Sequence, residues 1–439
     1  MGATCVVALA VAGIGAHPAG ALGPGGWDHV GSPPLNGTVS ALHAVSGSLY
    51  VGGAFTDAGG IGDADRIARW NGSSWSAVGP AAIPAGSVDA IATYGSKVFV
   101  GGTFQNAGGN ANADFLAQWD GTTWSPFCNG PALTGNVTSL QVVASTLYVG
   151  GSFQNGAGIP TADYLLACDL VTGDSSSTVN DPAHPFSGPV DALTVDANGA
   201  LYAGGAFSNL ENLSAADNVA YRDGTGWHPL GAGGAVTGAV RSLAASGTTV
   251  YVGTDAKNVA GIPQADNVAR WNGSSWSALG ANIAGTDGWF PASTSVNGLA
   301  AFGSGLYATG TFQDASGDLL ADNVAAFDGT AWHNVGSDGA GNGPWTGTGL
   351  ALAVFDQSRP DLPVRLYAGG SFPSAGGESL AGRLATYQLT LLPPASTTPP
   401  LDTVAPQLRN VDLSVTRFRA ARSGPSLGPT RSGVGTRVR

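Results

Sequence analysis

An all-β fold, a seven-bladed β-propeller of four-stranded blades, is predicted by three features of this sequence. A phrase of the type LYVGGAF recurs seven times along the chain. Each copy sits in a frame that reads as four short strands joined by tight turns, the signature of a propeller blade. The strand missing from the last copy is found instead near the amino-terminal end.

The copies are Leu49–Phe55, Val98–Phe104, Leu147–Phe153, Leu201–Phe207, Val250–Ala256, Leu306–Phe312 and Leu366–Phe372, spaced 49 to 60 residues apart. A VxxL stretch precedes each copy and supplies strand a, with Leu42 matched by Ile91, Leu140, Leu193, Leu243, Leu299 and Leu352. The phrase itself is strand b, whose paired glycines allow close approach of neighbouring backbone. Strand c is typified by Ile67–Trp70 and is followed by Asn71-Gly72, a favoured two-residue hairpin turn. That turn recurs as Asp120-Gly121, Asp223-Gly224, Asn272-Gly273 and Asp328-Gly329. Strand d opens on Trp75, matched by Trp124, Trp227, Trp276 and Trp332.

The seventh copy stops after strand c, at Tyr387, without an Asn-Gly turn or a tryptophan. Gly26-Trp27-Asp28-His29-Val30-Gly31 copies Ser74-Trp75-Ser76-Ala77-Val78-Gly79. An amino-terminal strand d is therefore expected to complete blade seven and clasp the ring shut. Composition agrees. The 439 residues include 69 glycines and only 10% charged side chains. A glycine in a helix interior costs about 1 kcal/mol, which argues against long helices, and the glycines follow no three-residue period, which excludes collagen.

The repeat resembles kelch-type blades and the galactose-oxidase-central-domain class of propellers. It is most similar to exported bacterial proteins carrying GG-F-x-x-AGG and ADNIARWDGSxW motifs, over residues 25–389. The resemblance implies a propeller fold and leaves function open, because propellers host many unrelated activities.

The organisation expected is a signal peptide at 1–21, a propeller at 22–389, a Pro/Thr linker at 390–400 and the truncated or disordered start of a β-sandwich-like module at 401–439. Cys5 to Ala16 is an apolar run too short to span a bilayer, followed by the small-residue site Ala19-Gly20-Ala21. No later stretch is long enough to cross a membrane, so a secreted or cell-surface protein is expected. Net charge is -12, with seven arginines and two aspartates after Leu389, so the preceding chain is more acidic still. An acidic body repels phosphate backbones, so no nucleic-acid partner is expected. Cys128 and Cys168 are read either as a disulfide of an oxidising compartment or as two buried thiols.

In this connectivity the b–c and d–a loops open on one face, and the a–b and c–d turns on the other. An aspartate recurs in six b–c loops, as Asp65, Asp114, Asp163, Asp217, Asp266 and Asp322, and blade seven has Gly382 in that place. The ring is read as a weak Ca²⁺ or cation site, or as carboxylates that pin each loop by accepting backbone N–H bonds. Trp289, Phe290 and Trp345 stand outside the repeated tryptophan positions, in the d–a loops after blades five and six. They are the ligand-binding candidates on this face, with inward packing as the alternative.

Catalytic signatures are absent from the sequence. His29, His43, His184, His228 and His333 form no pair at metal-ligand spacing, and there is no GxSxG elbow. No cofactor and no catalytic residue are assigned. The function expected is a secreted, monomeric, non-catalytic binding or surface-display module for a polysaccharide or a cell-surface protein. A carbohydrate-active or oxidative enzyme with its site at the central channel, and a purely structural surface protein, are the alternatives.

Overall fold

The structure, a computed structural model, describes residues 22–389 apart from 46, 81–82, 177–178, 180–185, 209, 214, 232–235, 281–287, 291–293 and 357–362. The expected signal peptide, linker and terminal module lie outside the described residues. Seven four-stranded antiparallel sheets are present. In blade one the strands are a, Val39–Val45; b, Ser48–Gly53; c, Ile67–Trp70; and d, Trp75–Ala77. Each strand a packs on strand a of the next blade, and that of blade seven, Gly349–Phe355, packs back on Val39–Val45 to close the ring. Among the described residues no helix is long and apolar enough to cross a membrane.

Blade seven is completed from the amino-terminal end, as the sequence predicts. Leu22–His29 pairs antiparallel with Leu384–Leu389, placing Trp27 opposite Tyr387 and His29 opposite Ala385. The two ends of the propeller thus share one sheet, and the ring has no seam without strand pairing.

Tight blade-to-blade contact explains the glycine pair in strand b. A Cβ on Gly52 would lie 2.7 Å from Val88 of the next blade, and one on Gly53 would collide with the Thr38 carbonyl of its own blade. Strand a carries a β-bulge at its second residue in every blade: Ser40, Asp89, Thr138, Asp191, Arg241, Asn297 and Leu350 each fall between two registers.

The strand-d tryptophans latch each blade to the one before it. The indole Nε1 of Trp75 donates to the Val30 carbonyl at 3.2 Å, and that of Trp124 to Val78 at 3.1 Å. Trp227 donates to Val179, Trp276 to Leu230, Trp332 to Leu279 and Trp27 to Val335, at 2.6 to 3.1 Å. Six of the seven blade interfaces carry this bond. The seventh, between blades two and three, has the Cys128–Cys168 disulfide instead. Blade three has Ser175–Ser176 as its strand d and no tryptophan there. At four other interfaces the strand-c aromatic of one blade lies over a glycine of the preceding blade: Trp70 over Gly31, Trp119 over Gly79, Trp271 over Gly231 and Tyr387 over Gly336. Cys168 and Cys128 occupy those two positions, so the covalent bond replaces both contacts.

Candidate functional site

The repeated aspartates belong to the loops themselves. The Oδ1 of Asp65, Asp114, Asp163, Asp266 and Asp322 accepts the backbone N–H of Asp57, Asn106, Asn155, Asn258 and Asp314 respectively, at 2.7–2.8 Å. Each of those N–H groups belongs to a left-handed residue that starts a 3-10 turn. Asp217 stands at the same place in blade four, half-buried. Asp266 also pairs with Lys257 at 3.3 Å, and Asp322 accepts the N–H of Gly343 at 3.1 Å. Among the described residues no group of three His, Cys, Asp or Glu side chains is placed to hold a metal ion.

The aromatic ligand candidates require a correction. Phe290 is 3% exposed and meets Phe312 and Trp332 edge-on at 4.6 and 5.1 Å. Trp345 is also 3% exposed, stacked on Phe372 at 4.5 Å and edge-on to Trp27 at 4.9 Å. Trp289 is half-buried, against Gly280. Buried rings offer no face to a ligand. Phe290 and Trp345 in fact fill a repeated position: Leu35, Ile83, Leu133, Phe186 and Val236 are the buried apolar plugs of the other d–a loops. The plug lies four to six residues before strand a starts, and packs in the same core cluster as the strand-b phenylalanine in every blade that has one. The size of the plug changes from blade to blade, which disguised the repeat.

Two cavities lie on the opposite face, among the a–b and c–d turns of blades three to five. One of about 480 Å³ is lined by Tyr148 of blade three, by Asp196–Tyr202 and Tyr221–Gly224 of blade four, and by Thr248 and Gly273 of blade five. A second of about 440 Å³ is lined by Thr146, Tyr148, Cys168, Asp169, Thr172, Asp174–Ser176 and Arg222. Tyr148 and Arg222 line both, so the two form one groove across the blade three–four boundary.

The groove exists because two adjacent blades depart from the repeat. Blade three lacks bulk on strand d, where Ser175 opposite Cys168 takes the place of Trp75 opposite Trp70 in blade one, and its Ala167 stands where blades one, two, four and five have Arg69, Gln118, Tyr221 and Arg270. Its c–d turn, Leu170–Asp174, is held to blade two by Asn129, next to Cys128. The Asn129 side chain donates to Asp174 at 3.0 Å, and its carbonyl accepts the Ser175 hydroxyl at 2.9 Å. Blade four is filled by an aromatic stack, Tyr202 on Tyr221 at 5.5 Å and Tyr221 on His228 at 5.0 Å. Burial raises the Tyr202 hydroxyl to about 12, with Asp196 contributing in the same direction, so it stays a neutral phenol. Hydrogen bonds from the Thr225 hydroxyl and N–H, and then from His228, hold the Asp223 carboxyl well below the usual range.

Along the ring's inner wall, His43 donates to or accepts from the Thr93 hydroxyl at 3.0 Å, and desolvation lowers its pKa to about 4. At the bulge position Arg241 reaches Asp255 at 3.2 Å and Asp191 at 3.5 Å, and Thr138 and Asn297 donate to backbone carbonyls of the next blade. These groups are occupied in holding neighbouring blades together.

No family model matches the chain, and no curated protein matches it. Solved structures resemble the chain at low identity and at TM-scores below 0.5. The extracellular domain of BT4673 from B. thetaiotaomicron is 11% identical with a TM-score of 0.49; the match covers 82% of this chain and 40% of that one, so the chain spans about two fifths of its length. YCF48 bound to D1 peptide is 11% identical at a TM-score of 0.48, covering 87% of this chain and all of that one. The designed protein Ika8 is 13% identical at 0.45, covering 83% and 100%. The chain is a seven-bladed propeller by its own seven four-stranded sheets.

Proposed function

We propose that this protein is an exported, non-catalytic binding module whose ligand, a glycan, lies in the groove over blades three and four. One observation carries the reading: two adjoining cavities open where two successive blades abandon an otherwise regular repeat. A ring of interchangeable blades supplies rigidity, and a local exception supplies shape. The wall is rich in hydroxyls, from Tyr148, Thr146, Thr172, Thr248, Ser175 and Ser176, which match the hydroxyl-dense edges of sugars. Export is supported by the leader-like amino-terminal run and by the disulfide, which persists in oxidising compartments.

The test is a screen of the purified chain against cell-wall polysaccharides, repeated with Gly224→Tyr. Gly224 lines the first cavity and has open space where a side chain would start, so a tyrosine there fills the groove without straining the turn. Loss of binding in that variant is expected. Binding that survives it places the ligand elsewhere and ends the proposal.

A further inference from the structure

Eight Asn-Gly steps occur in the chain, and the fold treats two of them unlike the rest. In the c–d turns of blades one and five, Asn71-Gly72 and Asn272-Gly273, the asparagine is exposed and its side chain bends forward along the chain. Oδ1 of Asn71 accepts the Ser73 N–H and hydroxyl, both at 2.9 Å, and the Ser74 N–H at 2.8 Å. Oδ1 of Asn272 accepts the Ser274 N–H at 2.9 Å, the Ser274 hydroxyl at 3.0 Å and the Ser275 N–H at 2.8 Å. These donors draw electron density from Cγ and stabilise negative charge that develops on Oδ1. The next nitrogen is uncommitted: among the described residues, neither Gly72 nor Gly273 donates its N–H to an acceptor.

The other six steps lack one or both features. Thr56 engages the Asn36 amide on both sides, and Thr172 and Asp174 hold that of Asn129. The Gly349 carbonyl holds the Asn297 amide, and Asp338 that of Asn342. Gly156, Gly199 and Gly343 donate their N–H groups to Ala162, Asp196 and Asp322.

We infer that Asn71-Gly72 and Asn272-Gly273 are self-modifying sites, at which the asparagine amide is hydrolysed to a carboxylate through a cyclic imide. The glycine nitrogen gives its proton to solvent and bonds to Cγ, unhindered because glycine has no side chain. The Cγ–Nδ2 bond breaks, and Nδ2 takes up a proton and leaves as ammonia. Water then opens the imide, at Cγ to aspartate or at the main-chain carbonyl to isoaspartate. Water is the only co-reactant, and nothing is oxidised or reduced. The aspartate product has a place ready in the fold. Asp120 and Asp328 occupy the same turn position and accept the same N–H and hydroxyl bonds from the residues two and three ahead. Bonds from the Thr123 N–H, then the Thr122 hydroxyl and N–H, hold the Asp120 carboxyl down at about 2. An ionised carboxylate resists the same attack, so aspartate ends the sequence. Each conversion adds a negative charge, and Gly273 lines the first cavity, so one of the two falls at the groove's edge. The inference stands apart from the groove reading, since the reaction needs no ligand.

The experiment is storage of the purified full chain in mildly alkaline buffer, with peptide mapping by mass spectrometry at intervals, beside the same chain unfolded in urea. In the folded chain Asn71 and Asn272 are expected to lose their amides at least about tenfold faster than Asn36, Asn129 and Asn198. In urea the eight steps are expected to converge. Asn71→Gln with Asn272→Gln, which cannot close the five-membered ring, is expected to abolish the early acidic bands on isoelectric focusing. Equal rates at all eight steps of the folded chain, or another step reacting first, overturns the assignment. So does a folded chain that stays unmodified while its unfolded form reacts. The same ranking in urea traces it to sequence and overturns the part given to the turn.

Discussion

Thr309 in strand b of blade six and Gly349 at the start of strand a of blade seven have exchanged sizes. At the other six interfaces the first strand-b glycine faces a valine of the next blade, as Gly52 faces Val88 and Gly369 faces Val39. Here the bulk comes from Thr309, whose hydroxyl also donates to the Asn323 carbonyl at 2.6 Å, and Gly349 makes the room. Gly349→Val alone is expected to overpack the interface and cost about 1–3 kcal/mol. Thr309→Gly alone leaves a void and removes the hydroxyl's bond to the Asn323 carbonyl, at a similar cost. The double variant rebuilds the ordinary Gly–Val pair, so its loss in urea denaturation should fall well short of the sum. Additive losses would show that the two residues are not coupled.

The blade two–three interface offers a second exchange. Reducing Cys128–Cys168, or replacing both cysteines by alanine, is expected to destabilise the protein by about 2–5 kcal/mol. Cys128 has a positive φ of 65°, so Cys128→Gly suits the backbone, and Cys168→Trp restores the aromatic found over that glycine at other interfaces. The Gly/Trp pair should therefore be more stable than the Ala/Ala pair by thermal melting. The reverse order would mean that the disulfide does not substitute for the usual contact.

Deleting residues 22–31 removes Trp27, its bond to the Val335 carbonyl, its edge contact with Trp345 and the Val30 carbonyl that Trp75 donates to. Trp27→Ala isolates the side chain and is expected to cost about 3–5 kcal/mol, as a buried Trp loss does. The deletion is expected to be worse, since it also strips the outer strand from Leu384–Leu389. A truncated chain that melts at the full-length temperature would contradict the clasp.

His43 gives stability a pH dependence with a definite sign. Its folded pKa of about 4 lies below the ordinary value of 6.5, because desolvation disfavours the charged ring. The unfolded chain therefore takes up the proton first. The contribution is fully present above pH 6.5 and is lost as pH falls through about 4. Partial exposure discounts the full shift, leaving about 1–3 kcal/mol. Asp89 and Asp191 act with the opposite sign, since burial raises their carboxyls. Denaturation at pH 7 and pH 4.5 should show a smaller difference for His43→Gln than for the parent protein. Equal differences would mean that His43 is solvated in the folded state.

Much of the architecture was readable because a blade repeats its chemistry at fixed spacing. The glycine pairs, Asn-Gly turns and strand-d tryptophans mark strands directly, and Trp27 matched a gap 360 residues away at Tyr387. The site was not readable, for two physical reasons. The plugs differ in size and spacing, so Phe290 and Trp345 looked like exceptions although Leu35 and Ile83 do the same work. The groove arises from what blade three lacks, and absent bulk at Ala167 and Ser175 leaves no motif. Its one sequence-level trace is the missing strand-d tryptophan that accompanies Cys168.

The location of the ligand is tested most directly by backbone hydrogen exchange with and without a saturating bound glycan. Protection is expected in the turns at 169–176, 196–200 and 222–226, with the b–c loops such as 57–66 unchanged. Protection confined to the b–c and d–a loops would place the ligand on the other face and contradict the groove.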